Sequence, residues 1–205
     1  MKIFAAENGD LSGLAGVLAI YHASFPQIER KSYADIREIF LDESYRIDLV
    51  QFGDALVGFA MTKLLADDLA LLEYIAIDQS CRSEGLGGAL FEHVKTMTGG
   101  GVLLLEVESV PSSPAEADQI SRRKAFYRAH GCREVEGLNY ILPLHRNAAA
   151  TMRILVWSAD LPPAAMKGTV AYWIIRLYEA VYQVGAGDPR IATMLSSLAD
   201  EVTLA

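Results

Sequence analysis

Cysteine is nearly absent from this chain. Cys81 and Cys132 are the only two among 205 residues; they fit no metal-ligand spacing, and a chain of this length needs no disulfide to hold it. A reducing, cytoplasmic setting is the expectation. Positive charge is also in short supply: 18 Lys and Arg stand against 26 Asp and Glu, a formal charge of −8, and the one dense basic run is Arg122 to Lys124. Phosphate-backbone recognition needs clustered cations, so nucleic acid is not an expected partner. No stretch reaches the roughly 18 to 20 uncharged apolar residues of a membrane span, and the start MKIFAAENGD lacks the apolar run and cleavage site of an export signal. His22, His93, His130 and His145 fall on separate elements with no ligand spacing, so no metal is expected.

What the chain does have is apolar material for one core, 52% of its residues, and one feature of high information. Residues 69–94 run as an apolar strand into Arg82-x-x-Gly85-x-Gly87-Gly88 and then at once into an amphipathic helix. The glycines bare backbone N–H groups where strand hands over to helix. Those donors and the positive end of the helix dipole suit a pyrophosphate. Two familiar nucleotide motifs do not fit. The dinucleotide fingerprint needs a third glycine, where Leu90 stands, and an acidic residue about 20 positions on, near the glycine run 99–101. The triphosphate loop needs Lys-Ser or Lys-Thr after its glycines, and none follows.

The rest of the chain reads as alternating short elements. A first strand covers residues 1–6, and Leu14, Val17, Leu18 and Tyr21 then recur at helical spacing up to Pro26. Ser32-x-x-Asp35 announces a second helix in the manner of a capping box. Strands are expected at 45–52, 55–66 and 69–77, a helix to about Met97, a buried strand at 102–108, a helix closed by Gly131, and two strands at 138–144 and 152–158. Beyond Pro162-Pro163, the residues Val170, Trp173, Ile174, Leu177, Tyr178 and Val181 form one apolar helical stripe, with a second short helix at 190–200.

Two segments together carry a family resemblance. Arg82-x-x-Gly85-x-Gly87, following a strand that ends Tyr74-Ile75-Ala76-Ile77-Asp78, resembles the acetyl-CoA signature of the GNAT superfamily of N-acyltransferases. Phe126-Tyr127-x-x-x-Gly131, ending a helix, is similar to the second signature of that family. The element order β-α-α-β-β-β-α-β-α-β-β is also the one the family uses. The resemblance implies an α/β (α+β), GNAT-like fold: a mixed, mostly antiparallel central sheet of about seven strands flanked by helices, with a C-terminal helical extension. Residues 1–160 would form the acyltransferase domain, and 161–205 an extension packed on it or in a homodimer contact.

The chemistry implied is acyl transfer from acetyl-CoA to a small-molecule or peptide amine, with no metal, no nucleic acid and no membrane. By resemblance the coenzyme pyrophosphate would rest on Arg82, Ser83, Gly85, Leu86, Gly87 and Gly88, with Arg123 reaching its phosphates. The pantetheine arm would pair with the backbone of Ile75, Ala76 and Ile77, a backbone N–H near Ile75 facing the thioester oxygen. Glu84 stands where the family carries a basic residue, which leaves the backbone donors more of the burden. Tyr127 matches the tyrosine that protonates the leaving thiolate, and a phenol that keeps its proton at neutral pH is a sensible acid for it. Glu73 lies in an otherwise apolar strand, and Glu106 and Glu108 share one face of a strand expected beside it. Unpaired charge is costly to bury, so these carboxylates are expected to line a wet cleft. There one would take the ammonium proton, or bind a cationic acceptor. Glu29 and Arg30, between the first two helices, are the candidates for reading the acceptor's charge. The alternative is a non-catalytic acyl-CoA-binding module whose C-terminal helices contact a partner.

Overall fold

The structure, a computed structural model, describes residues 1–27, 30–82, 84–109, 113–143 and 152–205. In chain order these form β1 (Lys2–Ala5), α1 (Leu14–Ser24), α2 (Tyr33–Leu41), β2 (Tyr45–Phe52), β3 (Ala55–Ala66), β4 (Leu69–Ile77), α3 (Leu86–Thr96), β5 (Val102–Glu108), α4 (Pro114–Ala129), β6 (Arg133–Glu134), β7 (Met152–Trp157), β8 (Ala164–Met166), α5 (Lys167–Tyr182), α6 (Pro189–Ser196) and β9 (Glu201–Thr203). Seven strands make one mixed, mostly antiparallel sheet in the order β1-β2-β3-β4-β5-β7-β6, flanked by helices, while β8 and β9 pair separately. The chain divides into two compact units, Met1–Leu64 with Leu72–Gly99 and Leu65–Leu71 with Gly100–Ala205.

In the first unit β2 pairs antiparallel with β1, from Lys2 opposite Gln51 to Ala5 opposite Asp48, and with β3, from Tyr45 opposite Lys63 to Phe52 opposite Ala55. Alternation along these strands sends Ile47, Leu49, Phe59 and Met61 to one face, where Leu14, Val17 and Tyr21 of α1 and Ile36 and Phe40 of α2 cover them. Strand period two and helix period 3.6 thus meet in one core. The capping box that opens α2 is complete: the Asp35 N–H donates to Ser32 Oγ at 3.2 Å, and the Ser32 N–H donates to the Asp35 carboxylate at 3.0 Å.

Gly58 in β3 has no room for a side chain. A Cβ built there would stand 2.4 Å from Ile77 Cδ1 and 2.9 Å from the Ala76 carbonyl oxygen. The Ile77 terminus can turn aside, but the backbone oxygen must move with its strand. Gly58→Val is therefore expected to cost about 1–3 kcal/mol as an overpacked core and to lower the midpoint of thermal unfolding by several degrees, read by calorimetry.

The second unit closes around a separate apolar cluster. Leu104 of β5 and Ile154 and Val156 of β7 pack with Val170, Trp173, Ile174, Leu177 and Tyr178, the stripe foreseen in the sequence, and with Ile191 and Met194 of α6. Two expectations are corrected here. Leu138–Pro143 is not a strand, and residue 144 lies outside the described residues. Pro143 brings no N–H to a ladder, and the place beside β7 belongs to Arg133–Glu134, paired with Val156 and Leu155. The last helix stops at Ser196 rather than near 200 because Glu201–Thr203 pairs with Ala164–Met166.

Candidate active site

The glycine turn lies in the first unit. Beyond Ile77 the Asp78 carboxylate accepts from the Ser80 N–H at 2.9 Å, which closes a short 3-10 turn over Gln79–Cys81 and holds that carboxyl below its ordinary range, the Ser80 hydroxyl being the larger cause. Arg82 turns back on the strand, its Nε donating to the Ile77 carbonyl at 3.1 Å. Gly85 is the N-cap of α3 at φ +77°, a conformation that costs an L side chain about 1–2 kcal/mol. Among the described residues no side chain caps α3, so its first N–H groups, at Leu86, Gly87 and Gly88, have no carbonyl of their own helix to bond. Ser83 lies outside the described residues.

In β4, nine positions before Arg82, Glu73 is held from two sides. The Tyr45 hydroxyl at the start of β2 donates to Glu73 Oε2 at 2.6 Å, and Lys31 Nζ lies 3.0 Å from Oε1. Tyr45 is fixed in turn: Lys63 Nζ sits 4.3 Å from its ring centroid while bonding Asp42 at 2.8 Å and Ser44 Oγ at 2.5 Å. Burial, with the Glu73 charge next, pushes the Tyr45 phenol well above its usual range, so it stays a donor to that carboxylate. Tyr74 is raised in the same way, by burial and then by Glu73. Arg30 is committed to the chain, its Nε donating to the Phe25 carbonyl at 2.6 Å, and Glu29 lies outside the described residues. Ile75 is half-buried and Ala76 and Ile77 are buried.

The second unit holds the other candidates. Tyr127 on α4 is buried, and desolvation pushes its phenol up to about 12, Arg123 opposing and Cys132 adding to the shift. Glu106 on β5 is gripped by phenols: Tyr140 donates to Oε1, and the Tyr182 hydroxyl lies 2.9 and 2.8 Å from its two oxygens. Arg123 Nη1 lies 3.4 Å from Glu108 Oε2, so these two expected site residues are paired with each other.

Sequence reasoning missed Lys31, Tyr45, Tyr140 and Tyr182, all far along the chain from the carboxylates they bind. It also assigned nothing to His93, whose Nε2 lies 3.2 Å from Asp48 Oδ1; Asp48 is fully buried and held by Arg46 as well. The one signal for these pairs was the presence of acids inside apolar strands, which demands partners without naming them. No group of three or more potential metal ligands exists among the described residues, and no helix described is long and apolar enough to cross a membrane.

Five tyrosines, Tyr45, Tyr74, Tyr127, Tyr140 and Tyr178, are shifted upward from 10.0, burial being the first cause in each. Folded values raised above unfolded ones mean that this contribution to stability is whole below pH 10 and is lost as the pH rises through the folded values. Ultraviolet titration is expected to show few phenolates near pH 10 and a late, cooperative release coincident with loss of circular dichroism. A smooth titration of all tyrosines near 10 in folded protein would contradict this packing.

A mixed seven-stranded sheet whose fourth strand leads through a glycine turn into a helix that no described side chain caps is consistent with the GNAT fold. Residues 14–109 match the sequence model of the Acetyltransferase (GNAT) family. Among solved structures, a GNAT-family protein from Bacteroides thetaiotaomicron superposes with a TM-score of 0.70 at 22% identity, covering 90% of this chain and 99% of its own. The ribosomal-protein-S18-alanine N-acetyltransferase of Escherichia coli does so with 0.57 at 24% identity, over 78% and 95%. An aminoglycoside 6'-N-acetyltransferase complexed with coenzyme A gives 0.62 at 15% identity, over 80% and 99%. At these identities the likeness is one of fold. No curated protein matches the chain.

Proposed function

We propose that this protein transfers an acetyl group from acetyl-CoA to a primary amine of a small molecule or peptide, by direct attack within a ternary complex in the cytoplasm. The observation that carries the reading is the passage from β4 through Gly85, at φ +77°, into a helix start that no described side chain caps. Its donor set fits a diphosphate: backbone N–H groups converge with the positive end of the helix dipole. Ser83 and Arg123 are further proposed contacts to the phosphates, and the backbone of Ile75, Ala76 and Ile77 is the proposed rail for the pantetheine arm.

The roles follow from basicity and access. Glu73 is the proposed base, because its carboxylate already sits against an ammonium, that of Lys31, as it would against an acceptor. Glu106 is the weaker candidate, since neutral phenol hydroxyls of Tyr140 and Tyr182 bond its oxygens, where Glu73 has an ammonium against one of its own. Tyr127 is the proposed acid: a phenol held near 12 keeps its proton through neutral pH and can pass it to a thiolate. Glu29, Arg30 and Glu108 remain proposed contacts to the acceptor. Residues 161–205 are proposed as an extension of an acyltransferase domain over 1–160.

Relatives of this fold act on a ribosomal-protein alanine and on aminoglycosides, so both kinds of acceptor belong in a test. Thermal-shift titration with coenzyme A thioesters, followed by thiol release over polyamines, amino acids, aminoglycosides and peptide N-termini, is expected to show protection by acetyl-CoA and turnover with one amine class. Protection without turnover across the whole panel would favour the non-catalytic binding module. Absence of protection by any thioester would remove both readings.

A further inference from the structure

Lys31 pairs with the carboxylate proposed as the base. Its backbone N–H donates to the hydroxyl of fully buried Tyr21 at 2.9 Å, and Ser32, the N-cap of α2, follows at once. The side chain is thereby anchored at its root. Its Nζ lies 3.0 Å from Glu73 Oε1, with the Lys31 side chain 31% exposed and that of Glu73 10%. Lys31 also lines a cavity of about 420 Å³ bordered by Asp35, Glu38, Ile39, Leu41 and Asp42. The same lysine thus borders a cavity and holds its amine against the carboxylate that, on the reading above, accepts the substrate's proton.

We infer that Lys31 is itself an acceptor and is acetylated by its own chain when no external amine occupies Glu73. The inference rests on the proposed role of Glu73. The step balances without a further reagent. The Lys31 ammonium gives one proton to the Glu73 carboxylate, and the freed nitrogen lone pair attacks the thioester carbonyl carbon. A C–N bond forms, the C–S bond breaks, and the second proton lost from nitrogen ends on the departing thiolate. The products are N-acetyl-lysine, coenzyme A thiol and one proton released through Glu73. The acetylated side chain carries no charge, so the ion pair to Glu73 ends and the carboxylate is left to an external ammonium. Self-modification would thereby open the acceptor position once in the life of each molecule.

The experiment uses the full chain with isotopically labelled acetyl-CoA, read by intact mass and by peptide mass spectrometry, with thiol release on the amine panel measured in the same preparation. The label is expected on Lys31 ahead of the other lysines, at a first-order rate independent of protein concentration. External amine should suppress it, and Glu73→Gln should slow it at least about 100-fold, as loss of a general base does, while thermal protection by coenzyme A shows that variant to be folded. In Lys31→Arg no other lysine should take the label. An unlabelled Lys31 in a preparation that acetylates a free amine overturns the inference and leaves the acyltransferase reading intact. Labelling spread evenly over the surface lysines, or unchanged by Glu73→Gln, overturns it equally. Failure of both Lys31 and every free amine to react, with coenzyme still bound, defeats the inference together with the reading beneath it.

Discussion

Glu73→Gln is expected to lower turnover by about 10²- to 10⁴-fold, the span that a positioned general base supplies, while coenzyme affinity stays nearly unchanged. The amide has the shape of the carboxylate, and its oxygen can still accept from the Tyr45 hydroxyl, now 2.6 Å from Oε2. What it cannot do is take a proton. Lys31 loses its partner in this variant, but its side chain is already 31% exposed and can turn to water, so the cost in stability should be small beside the loss of rate. Two comparisons sharpen the result. Tyr45→Phe removes one hydrogen bond to a charged group, worth about 1.5–3 kcal/mol, and should reduce turnover less than loss of the base itself. Glu106→Gln should act mainly on stability, because its oxygens are engaged with Tyr140 and Tyr182. The measurements are kcat at saturating acceptor and the thermal shift produced by coenzyme A. A fall in turnover for Glu106→Gln that exceeds that for Glu73→Gln would reverse the assignment of the base.

Gly87→Glu should abolish coenzyme binding and leave the fold at least as stable as before. A Cβ at Gly87 meets only Ile77 Cγ1, at 3.8 Å, an ordinary contact. A carboxylate in the first turn of a helix also complements the helix dipole, by about 0.3–1 kcal/mol. The same charge stands against a diphosphate. Each hydrogen bond to a charged group is worth about 1.5–3 kcal/mol, and losing two of them corresponds to at least about 100-fold in affinity. The expected pattern has opposite signs: the unliganded protein melts no lower, and the upward shift with coenzyme A disappears. Gly87→Ala should retain both. Coenzyme A binding to Gly87→Glu with undiminished affinity would place the diphosphate elsewhere and remove the basis of the proposed function.

Local order made much of this molecule legible in advance. Strand and helix periods placed β1 through β5, α1 to α3 and the stripe of α5, because each is a repeat within a few residues that burial then satisfies, while α4 was read from Phe126-Tyr127 and its closing Gly131. Ser32 and Asp35 announced their helix start by a spacing of three, and the structure closes both bonds. The glycine turn was readable for the same reason: Gly85 at φ +77° answers a need of its own backbone. Legibility failed where the partner is remote. Residues 138–143 have the composition of a strand, yet the place beside β7 goes to Arg133–Glu134. Nothing near Glu201–Thr203 signals that its partner is Ala164–Met166.

The carboxylates divide along the same line. Their presence inside apolar strands was a fact of sequence, and it required that each be paired, since a lone buried charge is too costly. Which groups do the pairing was decided in three dimensions. Lys31 and Tyr45 converge on Glu73 from the approach to α2 and the start of β2, while Tyr140 and Tyr182 converge on Glu106. By itself the order of residues determined β1 through β5, the helices α1 to α5 and the glycine turn that opens α3, all of them properties of neighbours along the chain. Tertiary structure alone decided which acid keeps an ammonium at its side and which is sealed by phenols, because a hydrogen bond depends on distance through space and a strand pattern carries no record of what will face it.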